Sequence, residues 1–461
     1  MVYIMINLRD YQKEVYDKIK IAFREGHKGV CAVLPCRSGK SYIMASIAEN
    51  ASKKNTNVLI LAHRNSLLEQ HRDLFFSFNI NKNVRIESVF TEVNHLGENG
   101  KVDLIIIDEA HLSGASSYQK VCDYYNCRRI LFTATPARLD GKPLNLADIL
   151  IKGPTIKELI REGNISDFDY FAPDLQLNLE NVKLVGGEYK NDQLGEIMNK
   201  PTIYGDVLKY YKMLGNNMQA IAYCVNIKHS KKICELFNSN KISSVHMDAT
   251  TPEKERLKIL EDFKSGKVQV LCNCNLISEG ITLPSASVGL LLRPTMSLPL
   301  YIQQACRVLT PNEGKKAIII DYVNNVETHG LPDEEREWTL KGKVSKRSIF
   351  DEEGNLKIKS CQNCYKTFLG SLSACPYCGW VNESNRKEIQ EKKNIELKKI
   401  TEIEAAKMKE EQKKKRQEVG MTKDFSGLVQ LAKERGYKNP AFWASKVMQY
   451  RRNKNNGKTR N

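Results

Sequence analysis

Residues 30–41 read VCAVLPCRSGKS, an apolar run that leaves its strand at Pro35, turns through Ser38 and Gly39, and enters a helical pattern at Lys40 and Ser41. A buried parallel strand that feeds a helix through such a loop aims backbone N–H groups and the positive end of the helix at one point, which suits phosphate. Pro35, Cys36, Arg37, Ser38, Gly39 and Lys40 would line that point, with Lys40 on the terminal phosphate oxygens and Ser41 on a magnesium ion. Leu34 stands where the usual pattern has its first glycine. The loop taken alone therefore competes with an ordinary surface turn that contains GKS.

Further apolar runs stand at Val58 to Ala62, Val102 to Ile107 and Ile130 to Phe132, with helical stretches between them. They read as buried parallel strands of a doubly wound α/β sheet. A second set follows at Ala220 to Val225, Ser244 to Met247, Val268 to Cys272, Val288 to Leu292 and Ala317 to Ile320. Two α/β domains in tandem are expected, over 1–162 and 201–345. The stretch 163–200, of mixed polarity and with the pair Gly186-Gly187, reads as a linker with some extended structure. A length of 461 residues with 41% hydrophobic and 27% charged residues fits two cores plus smaller parts and argues against wholesale disorder.

The run Val102 to Ile107 ends in Asp108-Glu109-Ala110-His111. Adjacent carboxylates at the carboxyl end of a parallel strand face the crevice where such sheets bind ligands, so Asp108 can hold magnesium and Glu109 can activate a water. An acidic strand-end turn is the plain alternative, but the spacing from the phosphate loop makes coincidence improbable. Beyond the next strand, Thr133-Ala134-Thr135-Pro136 places two hydroxyls where they can sense that crevice.

With these residues in hand, the chain resembles a superfamily 2 helicase of the DEAH-box type. The family's motifs follow in order: LRDYQ from Leu8, the phosphate loop, LAHRNSLLEQ from Leu61, DEAH from Asp108 and TATPARLDG from Thr133. The second set continues with VHMDATTPEKERLKILEDF from Val245, LISEGITLP from Leu276 and YIQQACRVLTP from Tyr301. The phrases GPTIKELIREG from Gly153 and HGLPDEEREWTL from His329 are similar to those of helicases encoded by bacteria and phages, many of which end in a zinc ribbon.

The resemblance implies two RecA-like domains that clasp ATP between them and carry nucleic acid across their joint surface. Arg9 and Gln12 would bind ATP, with Gln12 reading adenine, and Gly280 would face the nucleotide. The catalytic set would be Lys40, Asp108, Glu109, His111, Gln303 and Arg307, the last two reaching the γ-phosphate from the second domain. His111, Thr133 and Thr135 would couple the cleft to the nucleic acid, which His63, Arg64 and Ser88 would contact. Four positions depart from the family: Arg37, Thr282, Cys306, where glycine is usual, and Thr310, where a second arginine is usual. These put turnover in question, not fold. Cys36 and Cys306 raise a redox-sensitive cleft, against the plainer reading of buried, inert thiols.

Cys361-x2-Cys364-x10-Cys375-x2-Cys378 is a second strong signal. Two such pairs close a tetrahedral zinc site, so a zinc ribbon is expected over 358–381, whether as a staple or as a nucleic-acid contact. The run 382–420 is polar and rich in lysine and glutamate, either a solvated helix or disordered. A helical hairpin is expected over 424–453, its second helix opened by Asn439-Pro440. From residue 381 onward there are 22 basic and 11 acidic side chains, which puts most of the net charge of +17 in the tail.

The expected activity is therefore an ATP-dependent helicase or translocase of the phage or prophage kind, using ATP, Mg2+ and Zn2+, on DNA in preference to RNA. The rivals are an RNA helicase and a zinc-containing nucleic-acid-binding protein with a weakened ATPase. The apolar start is too short for a signal peptide or a spanning helix, and thirteen cysteines scattered through strands do not form a secreted disulfide framework. Cytoplasmic residence without a membrane partner is expected.

Overall fold

Alternation along the strands builds the first lobe. Val30, Ala32 and Leu34 point into one hydrophobic cluster while Cys31 and Val33 point into another on the opposite face, as the two-residue period of a strand requires. With helices on both faces, the strands are buried on both sides. In this computed structural model, which describes residues 6–112, 116–136, 141–173, 177, 179, 182–199, 201–215, 217–274, 276, 283–342, 357–381, 418, 421–422, 424–435, 440–441, 443–445 and 447–448, the first sheet has six parallel strands. They are β1 (Gly29–Val33), β2 (Val58–Ala62), β3 (Val84–Ser88), β4 (Leu104–Ile107), β5 (Arg128–Thr133) and β6 (Ile149–Lys152), in the order β3-β2-β4-β5-β1-β6. The strands that end in DEAH, TAT and the phosphate loop are thus neighbours, β4, β5 and β1.

Next come β7 (Phe168–Phe171) and a small hairpin, β8 (Leu184–Val185) with β9 (Glu188–Tyr189), then β10 (Ala220–Tyr223), β11 (Ser244–Met247), β12 (Val270–Asn273), β13 (Val288–Leu291) and β14 (Ala317–Asp321). The second sheet is again parallel, in the order β11-β12-β10-β13-β14-β7. Here the stretch read as a linker differs from expectation, because β7 is the edge strand of this sheet, pairing Phe168 with Ala317. Its mixed polarity has a local cause: Asp169 stands between Lys316 and Lys366, which reach it at 2.8 and 3.1 Å. Gly186 and Gly187, at φ 61° and 87°, make the tight turn of the hairpin.

The exposed side of β7 is covered. After β15 (Ile358–Ser360), Tyr365 O accepts from Ala172 N at 3.0 Å and Thr367 Oγ1, at the start of β16 (Thr367–Leu369), donates to Tyr170 O at 3.3 Å. An edge that would otherwise invite another strand is thereby closed by the cysteine module.

Between β14 and β15 the chain also returns to the first lobe. Residues 331–342 form a strap whose Trp338 and Leu340 pack against the first-lobe cluster, with Leu144 N donating to Leu340 O at 2.9 Å. Arg336 holds the strap in shape by donating to the carbonyls of His329, Leu331, Pro332 and Glu334. A cavity of about 590 Å³ lies between the strap, Pro35, Thr135 and Ile302.

All of this lies in one compact unit, Met1–Asn382, and Glu383–Asn461 form a second. The charged run 382–420 falls almost wholly outside the described residues. Within the second unit, the helix Phe425–Glu434 starts on Asp424, whose carboxylate accepts from Gly427 N at 2.8 Å, and helical residues resume at Pro440. Among the described residues no helix is long and apolar enough to cross a membrane.

Candidate functional site

The phosphate loop is held from below. Leu34 N donates to Thr133 O at 3.0 Å, and Ser38 closes a turn by donating from N and Oγ to Pro35 O at 3.3 and 2.7 Å. The helix Lys40–Ser52 then begins at Gly39 without a side-chain cap, so its first N–H groups face the loop. Gly39 sits at φ 75°, and a Cβ there would come within 2.4 Å of Gln12 Nε2. Gln12 is buried and fully engaged: it accepts from Arg9 N at 2.9 Å and donates to Ser38 O at 2.9 Å, while Tyr11 OH donates to the same carbonyl at 2.8 Å. Lys40 Nζ lies 3.5 Å from both Leu34 O and Pro35 O. Ser41 occupies the first turn of the helix.

At the end of β4, Asp108 accepts from His71 Nε2 at 3.0 Å and from Glu109 N at 2.9 Å. Burial alone would raise the Asp108 carboxyl, but His71, Lys40 and the Glu109 N–H together hold it below its ordinary value. Lys40 is likewise opposed by burial, yet Glu109, Cys36 and Asp108 raise it above the usual lysine value, so it stays charged. Burial and the Lys40 charge push His111 down to about 4. This imidazole is therefore neutral near pH 7. Its Nδ1 stands 3.4 Å from both Glu109 Oε2 and Thr133 Oγ1. Thr133 Oγ1 in turn accepts from Thr135 N at 3.1 Å and donates to Thr135 O at 3.0 Å.

The second lobe reaches this crevice with one helix. Ser297 caps Leu298–Cys306 by accepting from Leu300 N, and Gln303 Nε2 donates to Glu109 Oε2 at 3.5 Å. Arg307 follows in a short 3-10 turn and is buried. Burial and the Arg307 charge push the Arg37 guanidinium down to about 9. Arg37 itself adopts φ 68°, a left-handed conformation uncommon for a residue with a side chain. Beside the departure at Thr310 stands Lys315, whose Nζ donates to Thr310 O at 2.9 Å. Burial and Arg37 push Lys315 down to about 8. Gly280 and Thr282 lie outside the described residues.

His63, Arg64 and Ser88 come together at the carboxyl ends of β2 and β3. Ser88 Oγ accepts from Phe90 N at 3.2 Å and starts the helix Val89–Asn94. The Phe90 ring stands edge-on to His63 at 5.0 Å and is 49% exposed. Phe90 and His71, like Tyr11 and Lys315, are residues that the sequence reading passed over. His71 lies ten positions beyond the start of LAHRNSLLEQ, and no local pattern ties it to Asp108. Nothing in the sequence marks Phe90 as exposed.

The four cysteines converge, with all their Sγ atoms within 4.8 Å of one another. Cys361 and Cys378 are 3.6 Å apart and Cys364 and Cys375 3.7 Å. A tetrahedron of zinc–sulfur bonds of about 2.3 Å has edges of about 3.8 Å, so the donor set fits that ion. Asn363 N and Cys364 N both point at Cys361 Sγ, at 3.4 and 3.5 Å, as suits a thiolate.

Comparison with known proteins places these features in company. Residues 203–311 match the family "Helicase conserved C-terminal domain", and residues 5–96 and 84–138 match "Type III restriction enzyme, res subunit". A "51.5 kDa protein" of a Lactococcus phage is 34% identical over 383 residues, covering 80% of this chain and 84% of its own length. The "Putative ATP-dependent helicase IRC3" of Saccharomyces cerevisiae is 29% identical and covers 68% of this chain, which spans about half (51%) of the yeast protein. The "DNA 3'-5' translocase XPB2" of Sulfurisphaera tokodaii is 23% identical, covering 69% of this chain and 82% of its own length.

Proposed function

Because the chain belongs to the superfamily 2 helicases, and so hydrolyses ATP and works on nucleic acid, we propose that it is a helicase or translocase that couples that hydrolysis to movement on DNA. The observation that carries the reading is the crowding of Arg37, Lys40 and Arg307 in the cleft beside Asp108 and Glu109. Like charges gathered in a buried crevice are stabilised by a polyanion, and the paired carboxylates supply what a magnesium triphosphate also needs.

In this reading Lys40, Arg37 and Arg307 offset charge on the phosphates, and Asp108 with Ser41 holds magnesium, which neutralises phosphate charge when bound. Glu109 takes the proton of the attacking water. Gln303 comes from the second lobe to the same carboxylate, so lobe closure and base positioning are one event. Neutral His111 touches both Glu109 and Thr133, which gives the cleft a path to the Thr133–Thr135 staple. His63, Arg64 and Ser88 form the nucleic-acid edge, with Phe90 as a ring on which a base can stack. DNA is favoured because the archaeal relative is by name a DNA translocase.

Cys361, Cys364, Cys375 and Cys378 are proposed as the ligands of one zinc ion. Since the module closes the edge of β7, its role in this reading is to staple the second lobe. Metal analysis of the pure protein should find one zinc per chain, and Cys375→Ser should lose it while ATPase in the absence of nucleic acid survives. The function itself is tested by ATPase rates with single-stranded, duplex, forked and four-way DNA and with matched RNA. Stimulation by RNA alone would overturn the DNA assignment, and no turnover with any of them would overturn the motor.

A further inference from the structure

The helix that carries Gln303 is held from behind. On Leu298–Cys306, side chains two residues apart point about 200° apart around the axis, so Tyr301 faces back into the second lobe when Gln303 faces the crevice. Tyr301 is fully buried in the hydrophobic cluster that also holds Tyr170. Its hydroxyl donates to Gly330 O at 2.9 Å and stands 3.1 Å from Tyr170 OH, which donates to Asp321 Oδ2 at 2.8 Å at the end of β14. The same carboxylate oxygen accepts from Val326 N at 2.9 Å. The Tyr301 ring stacks on His329 with centroids 5.1 Å apart, and His329 Nε2 donates to Thr295 O at 2.8 Å. Asn325 completes the grip on the chain that enters the helix, accepting from Thr295 N and donating from Nδ2 to Arg293 O, both at 3.1 Å.

We propose that Tyr301 is a positioning residue for ATP hydrolysis, whose hydrogen bonds and stack on His329 fix the rotation of this helix so that Gln303 meets Glu109. Packing alone needs none of these polar groups, because phenylalanine rings fill the same space and taking hydroxyls and a carboxylate out of water costs free energy. What the polar groups supply is direction. A hydrogen bond weakens steeply as its geometry departs from ideal, whereas hydrophobic contact is non-directional. Direction matters at Gln303, whose 3.5 Å approach to Glu109 lies at the outer limit of a hydrogen bond, so that a small turn of the helix makes or breaks it. Burial pushes both phenols up, so both keep their protons.

The same mount reaches toward the first lobe. His329 and Gly330 lead into the strap of residues 331–342, and Arg336 of the strap donates to His329 O and Leu331 O, both at 2.9 Å. Since Trp338 and Leu340 pack on the first lobe, Tyr301 joins the Gln303 helix to the segment that the other lobe holds. The proposal rests on the reading that Gln303 acts on Glu109, while the mount itself stands on its own contacts.

The test compares wild type, Tyr301→Phe, Gln303→Ala and the double variant as full-length proteins, in nucleic-acid-stimulated ATPase with thermal midpoints measured alongside. Tyr301→Phe keeps the ring and its stack and removes the hydroxyl. It should lower kcat by about tenfold with KM for ATP unchanged, since a misplacement of about 1 Å can cost about 10²-fold. In the Gln303→Ala background the same change should lower kcat no further, because nothing is left to position. A hydroxyl with a merely structural role would lower kcat by one factor in both backgrounds, and that result overturns the proposal, as does an unchanged kcat in Tyr301→Phe. If Gln303→Ala keeps wild-type turnover, the reading of Gln303 fails and takes the proposal with it. Loss of turnover in Gln303→Ala without loss in Tyr301→Phe overturns the proposal alone. Should Tyr301→Phe not fold, Tyr170→Phe, which removes the neighbouring hydroxyl, is put through the same cycle and read by the same outcomes.

Discussion

The two lobes face one crevice but prepare for it differently. In the first, nearly every cleft side chain is braced by its own lobe: Gln12 on the loop carbonyls, His71 on Asp108, His111 on Thr133. In the second, Gln303 reaches the crevice at 3.5 Å and finds its partner, Glu109, in the other lobe. Preorganised groups cost no rearrangement at the moment of reaction. The difference teaches that the first lobe is a finished half-site, while the second supplies its part only when the lobes are together.

The largest test of that contrast is Lys40→Ala or Glu109→Gln. Either should lower ATP turnover by on the order of 10³-fold, the scale of removing a principal group from phosphoryl transfer, and leave nucleic-acid binding largely intact in a filter or anisotropy assay. Loss of both activities with the fold retained would place the two sites on one surface. A smaller effect is expected at the bracing level. His71→Ala leaves Asp108 without its charged-group hydrogen bond, at a cost of about 2 kcal/mol, so both the midpoint of chemical denaturation and the ATPase rate should fall. An unchanged midpoint would mean that the first lobe is not braced in this way.

At the rim, Phe90→Ala should weaken single-strand binding by about 1–3 kcal/mol if one base stacks there. The difference between wild type and variant should vanish on an abasic oligonucleotide, and an equal loss on both strands would assign Phe90 to local packing. The mildest change concerns the sparse lobe. Thr310→Arg adds a cation where the family usually has one and should raise nucleic-acid-stimulated turnover modestly. If turnover is unchanged while Arg307→Ala abolishes it, one arginine suffices beside Lys315.

Much of the first lobe was legible because its strands are buried on both faces, and burial on both faces writes an unbroken apolar run. β1, β2 and β4 are fully buried and were readable within two residues. β3, with Arg85 and Glu87 on a partly exposed edge, carries no such run and was missed. β7 was taken for linker for the same reason, since its Asp169 is matched by lysines that lie far along the chain. The motifs that line the crevice were legible because each is local, a strand end and the few residues after it. What stayed hidden was pairing between distant segments, such as His71 with Asp108 and Gln303 with Glu109. Such pairing depends on how the lobes and helices are stacked, and a single sequence carries no record of that.

The strap of residues 331–342 changes what kind of joint this molecule has. With one connection, a lobe can swivel about a single tether and drift from its partner. Here the chain passes from the first lobe to the second, anchors Trp338 and Leu340 back on the first, and then docks the cysteine module on the second. Each anchor holds the lobes at a high effective concentration for one another. Rotation about any single strand of chain is blocked by the others. Such a clasp narrows the ways in which the lobes can separate, compared with two bodies on one tether.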